Sequence, residues 1–580
     1  MAKLTIPPNF IGTPNVDTLI GEEVNTSPAI GIEILTGGLI RTGSGKDEIT
    51  GIATGENILE GSNIAGTGTG ISNSGSLNTE DENDTITGTG TGGNITGISD
   101  GSNFGGTGTG ISNSGSLNAG DGNDTITGTG TGGKVNSVSD GKSGDGIGIA
   151  NSGSLNAGDG NDTITGTGSS NNISGDPGGG IIGTGIGISN SGSLNAGGGN
   201  DAITGTGNGN NGPDLKDAAI NGGNATGISN SGSLNAENGE DIITGTGTGG
   251  KGGTNRFGAG NGGTGTGISN SGSLNAGNGN DAIIGTGTGG NGGNNYGIDD
   301  LMFSNGGNGT GISNSGSLNT GDTDDAITGI ATGGNGGNSN DYMGDGGSGT
   351  GISNSGNLNT GDGKDIIIGN GNGGNGGIGT DGSRGGNAGA GTGIQNTQDA
   401  TITTGSGKDT ITGDGTSSGI NATAYGILND GLIDTGNGHD SLTGQTTVTS
   451  GGRVYGIYGQ GTIKTGSGND EVTAISTIDE VQQKISIGGG ITIELGSDDD
   501  KFQGFGSGTV DGGTGFDTLD LSVFNRSELV ISGVSSSNSL NPANLTFNNN
   551  GDAVTLSTSG FESFIFADST LDYSSLANAV

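Results

Sequence analysis

Cysteine and tryptophan are absent from this 580-residue chain, histidine occurs once and proline only seven times. Without cysteine there is no disulfide framework and no thiolate to act as nucleophile or metal ligand. The lone imidazole, His439, leaves no cluster of metal-binding histidines, and no nucleophile with an adjacent base is visible. Arg41, Arg256, Arg384 and Arg453, each weighed as a single catalytic base, do not recur around a common cleft. The chain therefore reads as non-enzymatic. So little proline, with no strict glycine triplet along the whole chain, excludes collagen. No apolar run reaches the roughly 18 residues of a membrane span. Aromatics make up 3% and apolar residues 26%, too little for the cores of ordinary globular domains of this length. Bases are scarce as well: 16 against 59 acids, for a formal net charge of −43. That balance argues against nucleic acid and anionic membrane surfaces, and for cations. The opening Met1–Phe10 carries one lysine and no apolar core run, so no cleaved secretory leader is expected there.

What is abundant is glycine, 144 residues, and its distribution is ordered. A glycine-rich acidic composition would by itself suggest disorder; internal repetition overturns that reading. Segments of the type GISNSGSLNAGDGNDTITGTGTGG recur along most of the chain. One aspartate per unit keeps its phase: Asp47, Asp84, Asp124, Asp162, Asp201, Asp241, Asp281, Asp325, Asp365, Asp409, Asp440, Asp470 and Asp500, with Asp17 ahead of them and Asp517 behind. Successive spacings run from 30 to 44 residues, so 30 is the minimal coil and the remainder are insertions. These fall in stretches such as GKGGTNRFGAGNGG, absent from the shortest units, so the repeat should not need them. Leu or Ile recurs seven residues before each Asp (Ile40, Leu77, Leu117, Leu155 and onward), and an apolar residue, usually Ile, two after it. No helical period appears. The pattern predicts an all-β, parallel β-solenoid of about 14 coils, with 30–44 residues per coil and glycine-rich insert loops on one face. At about 4.8 Å per coil, the stack would span roughly 65–70 Å. Residues 1–33 are expected as an N-terminal cap and first turn, 34–500 as the repeats, and 501–580, with half of the twelve Phe, as a C-terminal cap. Equivalent residues should stack in ladders, including Asn73, Asn113, Asn151, Asn190, Asn230 and Asn270, whose amides would satisfy one another.

Each ladder Asp ends a turn of the form [TA]-G-x-G-x-D-x-[ILV]: TGSGKDEI from Thr42, AGDGNDTI from Ala119, TGSGNDEV from Thr465, and GGTGFDTLD from Gly512. The motif resembles the calcium-binding nonapeptide GGxGxDxUx of the repeats-in-toxin (RTX) family, whose fold is a parallel β-roll. The resemblance covers nearly the whole chain, but with one turn per coil instead of two, and with Thr or Ala in place of the opening Gly. It implies Ca²⁺ at one edge of the coils, held by the fifteen aspartates named above, with Asp121, Asp159, Asp322 and Asp362 as additional candidates. It also implies export by a one-step route to a calcium-rich exterior.

The charges bear on the same point. Carboxylates about 5 Å apart repel by roughly 1 kcal/mol in water and by more in a drier turn, so a long ladder calls for a cation. Carbonyl and carboxylate oxygens at a flexible turn suit Ca²⁺ better than Mg²⁺. The alternative is that Asp caps the turn by accepting backbone N–H groups. A second surface is the outward row Thr125, Thr127, Thr129 and Thr131, repeated in neighbouring coils and broken by Ile242, Ala282 and Ile284. The expectation is an exported, calcium-binding structural protein of the cell surface or matrix that associates with itself and with surface polysaccharide. The alternative is an adhesin or ice binder using the Thr face.

Overall fold

The computed structural model describes residues 2–59, 62–97, 102–136, 141–174, 179–215, 219–254, 258–295, 303–339, 343–379, 385–534, 539 and 541–576. Arg256 and Arg384 lie outside them. The architecture is a parallel β-solenoid. Among the described residues the only α-helical turn is Tyr573–Leu576. Two compact units are present: Met1–Leu318 with Gly329–Gly349 and Gly374–Gly389, and Asn319–Thr328 with Thr350–Gly373 and Ala390–Val580.

In the first unit a coil consists of three strands, exemplified by Gly108–Asn113, Ser116–Asp121 and Thr125–Thr131. Each pairs in parallel with its counterpart one repeat on, in the phase of the sequence: Ile111 with Ile149, Leu117 with Leu155, Ile126 with Ile164. Period-2 alternation sends Ile126, Gly128 and Gly130 inward and the threonines outward. Ile40, Leu77, Leu117, Leu155, Leu194, Leu234, Leu274 and Leu318 form one fully buried column. The inward glycines let the two walls touch: a Cβ on Gly128 would lie 2.3 Å from the carbonyl oxygen of Gly148. The asparagine column is a chain of amide bonds, each Nδ2 donating to the next Oδ1 at 2.8 Å from Asn73 through Asn314. Parallel pairing already begins at Leu4–Ile6, which joins Ala29–Ile34, so residues within 2–33 form a coil of the stack.

The insertions have their own order. They leave each coil at one point, as expected, but run out and back as segments built on glycine triplets, such as Gly289-Gly290-Asn291 followed by Gly292-Gly293-Asn294. Outgoing and returning segments alternate and bond directly: the N–H of Gly250 to the Gly223 carbonyl, Gly263 to Gly250, Gly290 to Gly263, Gly307 to Gly290, all at 2.8 Å. Within a triplet the first glycine bonds to the next outgoing segment (Gly249 to Thr288), the second to a returning one, and the third residue is turned outward. Three directions in three residues is the geometry of a polyproline-II-like helix, which has no internal hydrogen bonds and leaves every N–H and C=O for its neighbours. A Cβ on Gly250 would lie 1.9 Å from the Asn210 oxygen, so only glycine allows this packing.

The second unit keeps the 30-residue coil: Ala424–Asn429 pairs with Val454–Tyr458, and Ser441–Val448 with Glu471–Ile478. Beyond Leu529 the pattern changes to an antiparallel meander of Leu529–Ser532, Ala543–Asn549 and Asp552–Ser559. Here the aromatics turn inward. Phe502, Phe505, Phe524, Phe561 and Phe564 are fully buried, Phe505 and Phe524 have ring centroids 4.8 Å apart, and Phe516 is exposed.

Candidate metal centre

The turn that precedes most ladder Asp residues is shaped by two left-handed backbone positions, usually glycines such as Gly120 (φ 113°) and Gly122 (φ 146°), although Glu80 and Glu82 take them before Asp84. This tight path brings the Asp side chain beneath the backbone of its own turn and stacks it on the next coil. From Asp47 to Asp517 every ladder Asp is at most 2% exposed.

The two carboxylate oxygens have different surroundings. Oδ1 accepts the backbone N–H of the ladder Asp one coil earlier. In the first unit the six bonds from Asp17 to Asp241 are 2.6–2.7 Å long, and the bond of the Asp241 N–H to Asp281 is 2.8 Å. In the second unit the bonds from Asp325 through Asp517 run 2.8–3.0 Å. Capping therefore occurs, but between coils. Asp17 alone also caps its own turn, its Oδ2 accepting the Thr13 N–H at 2.7 Å. At the other end the sequence reading missed Glu562, whose Oε2 accepts the Asp517 N–H at 2.7 Å and closes the row. It lies outside the repeat, so no periodic signal marks it.

Oδ2 is the unusual atom. In Asp47, Asp84, Asp124, Asp162, Asp201, Asp241, Asp365, Asp409, Asp440, Asp470, Asp500 and Asp517 it is buried with no hydrogen-bond partner. It borders the residue five positions earlier, as the 2.4 Å from a Cβ on Gly12 to Asp17 Oδ2 shows. Ala119, Ala157, Ala196, Ala236 and Ala276 fill that position in the middle of the first unit. Thr79, Thr404, Thr435 and Thr465 put a hydroxyl near the carboxylate, although it also donates along the stack, for example from Thr79 to the Ala119 carbonyl at 2.7 Å.

An orphaned carboxylate oxygen away from water disfavours charge. Burial pushes Asp84, Asp162, Asp241, Asp365 and Asp500 up to about 7, against the lowering effect of the accepted N–H. Asp124, Asp201, Asp409, Asp470 and Asp517 are pushed up to about 6 by the same cause. Near neutral pH those raised to about 7 are roughly half protonated and those raised to about 6 are ionised at a cost, which a cation beside Oδ2 would relieve.

The donor set fits a hard cation: every available atom is oxygen, and the turn carbonyls lie along the stacking direction, that of Asp159 receiving the Gly122 N–H at 2.7 Å. Among the described residues no three acidic or histidine side chains converge. An ion here would thus take one or two carboxylates and complete its shell from backbone carbonyls. Asp121, Asp159, Asp322 and Asp362 are exposed, and the charges of Asp121 and Asp159 act on Asp124 and Asp162. His439 is exposed, and its Nδ1 accepts the Asn469 N–H at 2.9 Å.

Comparison with protein-family models, with curated proteins and with solved structures returns no match. Fold and site together define a parallel β-solenoid with a buried ladder of carboxylates.

Proposed function

We propose that this protein is a calcium-binding structural component of the cell exterior, whose copies associate into a filament, sheath or surface layer. The observation that carries the reading is the row of buried carboxylates, one per coil, twelve of them with an Oδ2 that no backbone N–H reaches. A divalent ion at the turn would neutralise neighbouring carboxylates without requiring acid. Calcium is abundant outside cells, so a chain that depends on it would complete its folding there. The sole imidazole, His439, accepts a backbone N–H, and the recurrent asparagines and aspartates bond along the stack.

Self-association is supported by the strand edges. Leu4–Ile6, Phe10–Ile11 and Thr18–Thr26 each pair with a strand on one side, and among the described residues none has a strand on the other. Ile11, Val16 and Val24 there are more than half exposed. Unpaired edge groups are a template for a second copy. Because most Phe rings of the C-terminal region face its own core, the partner surface on the second copy would be backbone edge and not a ring cluster. Deleting Met1–Gly21 should abolish calcium-dependent assemblies in electron micrographs while leaving the β circular dichroism of the monomer. Fibres that persist after the deletion would refute the edge contact.

A further inference from the structure

The second unit carries a cleft of about 380 Å³ between the strand Val454–Tyr458, the hairpin around Val481 and the tip of the C-terminal meander at Phe547 and Asn549. Its position is chemically singular. Three of the six tyrosines in the chain, Tyr425, Tyr455 and Tyr458, gather beside it at positions where other coils carry Thr, Ile, Ser, Gln or Leu. Tyr425 and Tyr455 stack one coil apart, 6.4 Å between centroids and 8° between planes, and Tyr458 lies 4.8 Å from Tyr455. All three remain half-exposed. Tyr458 is tilted by about 50° against both, and Gly488 of the next coil leaves room for the rings, since a Cβ there would stand 2.8 Å from Tyr455 and 3.0 Å from Tyr458. Arg453 sits against the Tyr425 hydroxyl, and Lys484 lies over Phe547 at 5.5 Å while pairing with Glu528. Gln482, Gln483 and Asn549 supply amide groups to the same wall.

Partly wet aromatic rings beside amides are suited to the CH face and hydroxyls of a pyranose ring. The cleft's lining includes the Arg453 guanidinium, which bonds the Tyr425 hydroxyl, and Lys484, whose ammonium is paired with Glu528; in a chain of net charge −43 the guanidinium favours an anionic ligand. We propose that this cleft binds an acidic saccharide, a uronic-acid unit packing against the open edge of Tyr455 with its carboxylate toward Arg453. The cleft lies away from the aspartate row, so the proposal stands independently of calcium binding.

The test is calorimetric titration of the full-length protein with a glucuronate–N-acetylglucosamine disaccharide and with its neutral methyl ester, in calcium-containing buffer. The wild type should bind both, the acid more tightly. Arg453→Gln should weaken the acid about tenfold and leave the ester unchanged, the fold-change of one charge-assisted contact. Tyr455→Ala should remove binding of both, and Tyr455→Phe, which keeps the ring, should retain it with unchanged circular dichroism. The proposal is overturned if neither sugar binds the wild type, or if Tyr455→Ala binds as the wild type does. It is equally overturned if Tyr455→Ala instead dissociates wild-type assemblies, since the cleft would then be a contact between copies.

Discussion

Raising the pH of ion-free protein from 5 to 8 is expected to lower its urea midpoint steeply, and millimolar Ca²⁺ at pH 8 should restore it. The sign follows from the direction of the shifts. Asp84 and its equivalents are raised by burial from 3.8 to about 6 or 7, so the folded state holds protons that the unfolded chain releases. Their stabilisation is complete below pH 3.8 and is lost as pH rises through 6 to 7. Each shift corresponds to about 3–4 kcal/mol at most, and because neighbouring carboxylates titrate together the contributions do not simply add. A bound cation replaces the proton and removes the penalty, so the calcium-loaded protein should be nearly indifferent to pH over this range. Mg²⁺, which demands a tighter octahedral shell and keeps its waters, should restore little. A midpoint that does not change between pH 5 and 8 without calcium would show that burial does not hold the carboxylates neutral.

Gly128→Val should be strongly destabilising in the first unit. A Cβ there meets the Gly148 oxygen at 2.3 Å and the Gly148 carbonyl carbon at 2.8 Å, both of them backbone in the facing wall. The Ile149 side chain, 2.6 Å away, could rotate, but the Gly148 backbone cannot, so the two sheets must separate there. Overpacking in a close core costs about 1–3 kcal/mol where neighbours can yield, and more where only backbone can move. The expected loss is about 4 kcal/mol or more, together with loss of cooperative unfolding in the neighbouring coils. Gly451→Ala provides the control: nothing lies within 4 Å of its Cβ, and its stability should change by less than about 0.5 kcal/mol. Equal midpoints for the two variants would mean that the walls are not in contact.

The stacking was legible because each coil repeats its neighbour. Leu117 over Leu155 and Asn113 over Asn151 follow from phase alone, and Gly128 and Gly130, alternating with outward threonines, already implied thin walls. Three features were not legible, for different reasons. The inserts read as loops because a search for periods of 2 and 3.6 passes over a period of 3, although GGNGGN from Gly289 carries it openly. The division of labour within each carboxylate depends on which oxygen meets the N–H below, an atomic distinction that residue identity does not contain. Glu562 closes the ladder from a strand whose sequence shares nothing with the repeat. The tyrosine cluster stood in the pattern unread: Tyr425 and Tyr455 are 30 residues apart, one short coil, and therefore had to stack.

The central claim is that the ladder exchanges protons for calcium. Isothermal titration of chelator-treated full-length protein with CaCl₂ at pH 6.5, repeated in buffers of different ionisation enthalpy, measures both ions at once. The account predicts saturable binding of several Ca²⁺ per chain, with protons released into the buffer and an accompanying gain in β circular dichroism. No calcium binding above background, with a β signal unaffected by chelation, would contradict it and leave the aspartates as inter-coil caps alone.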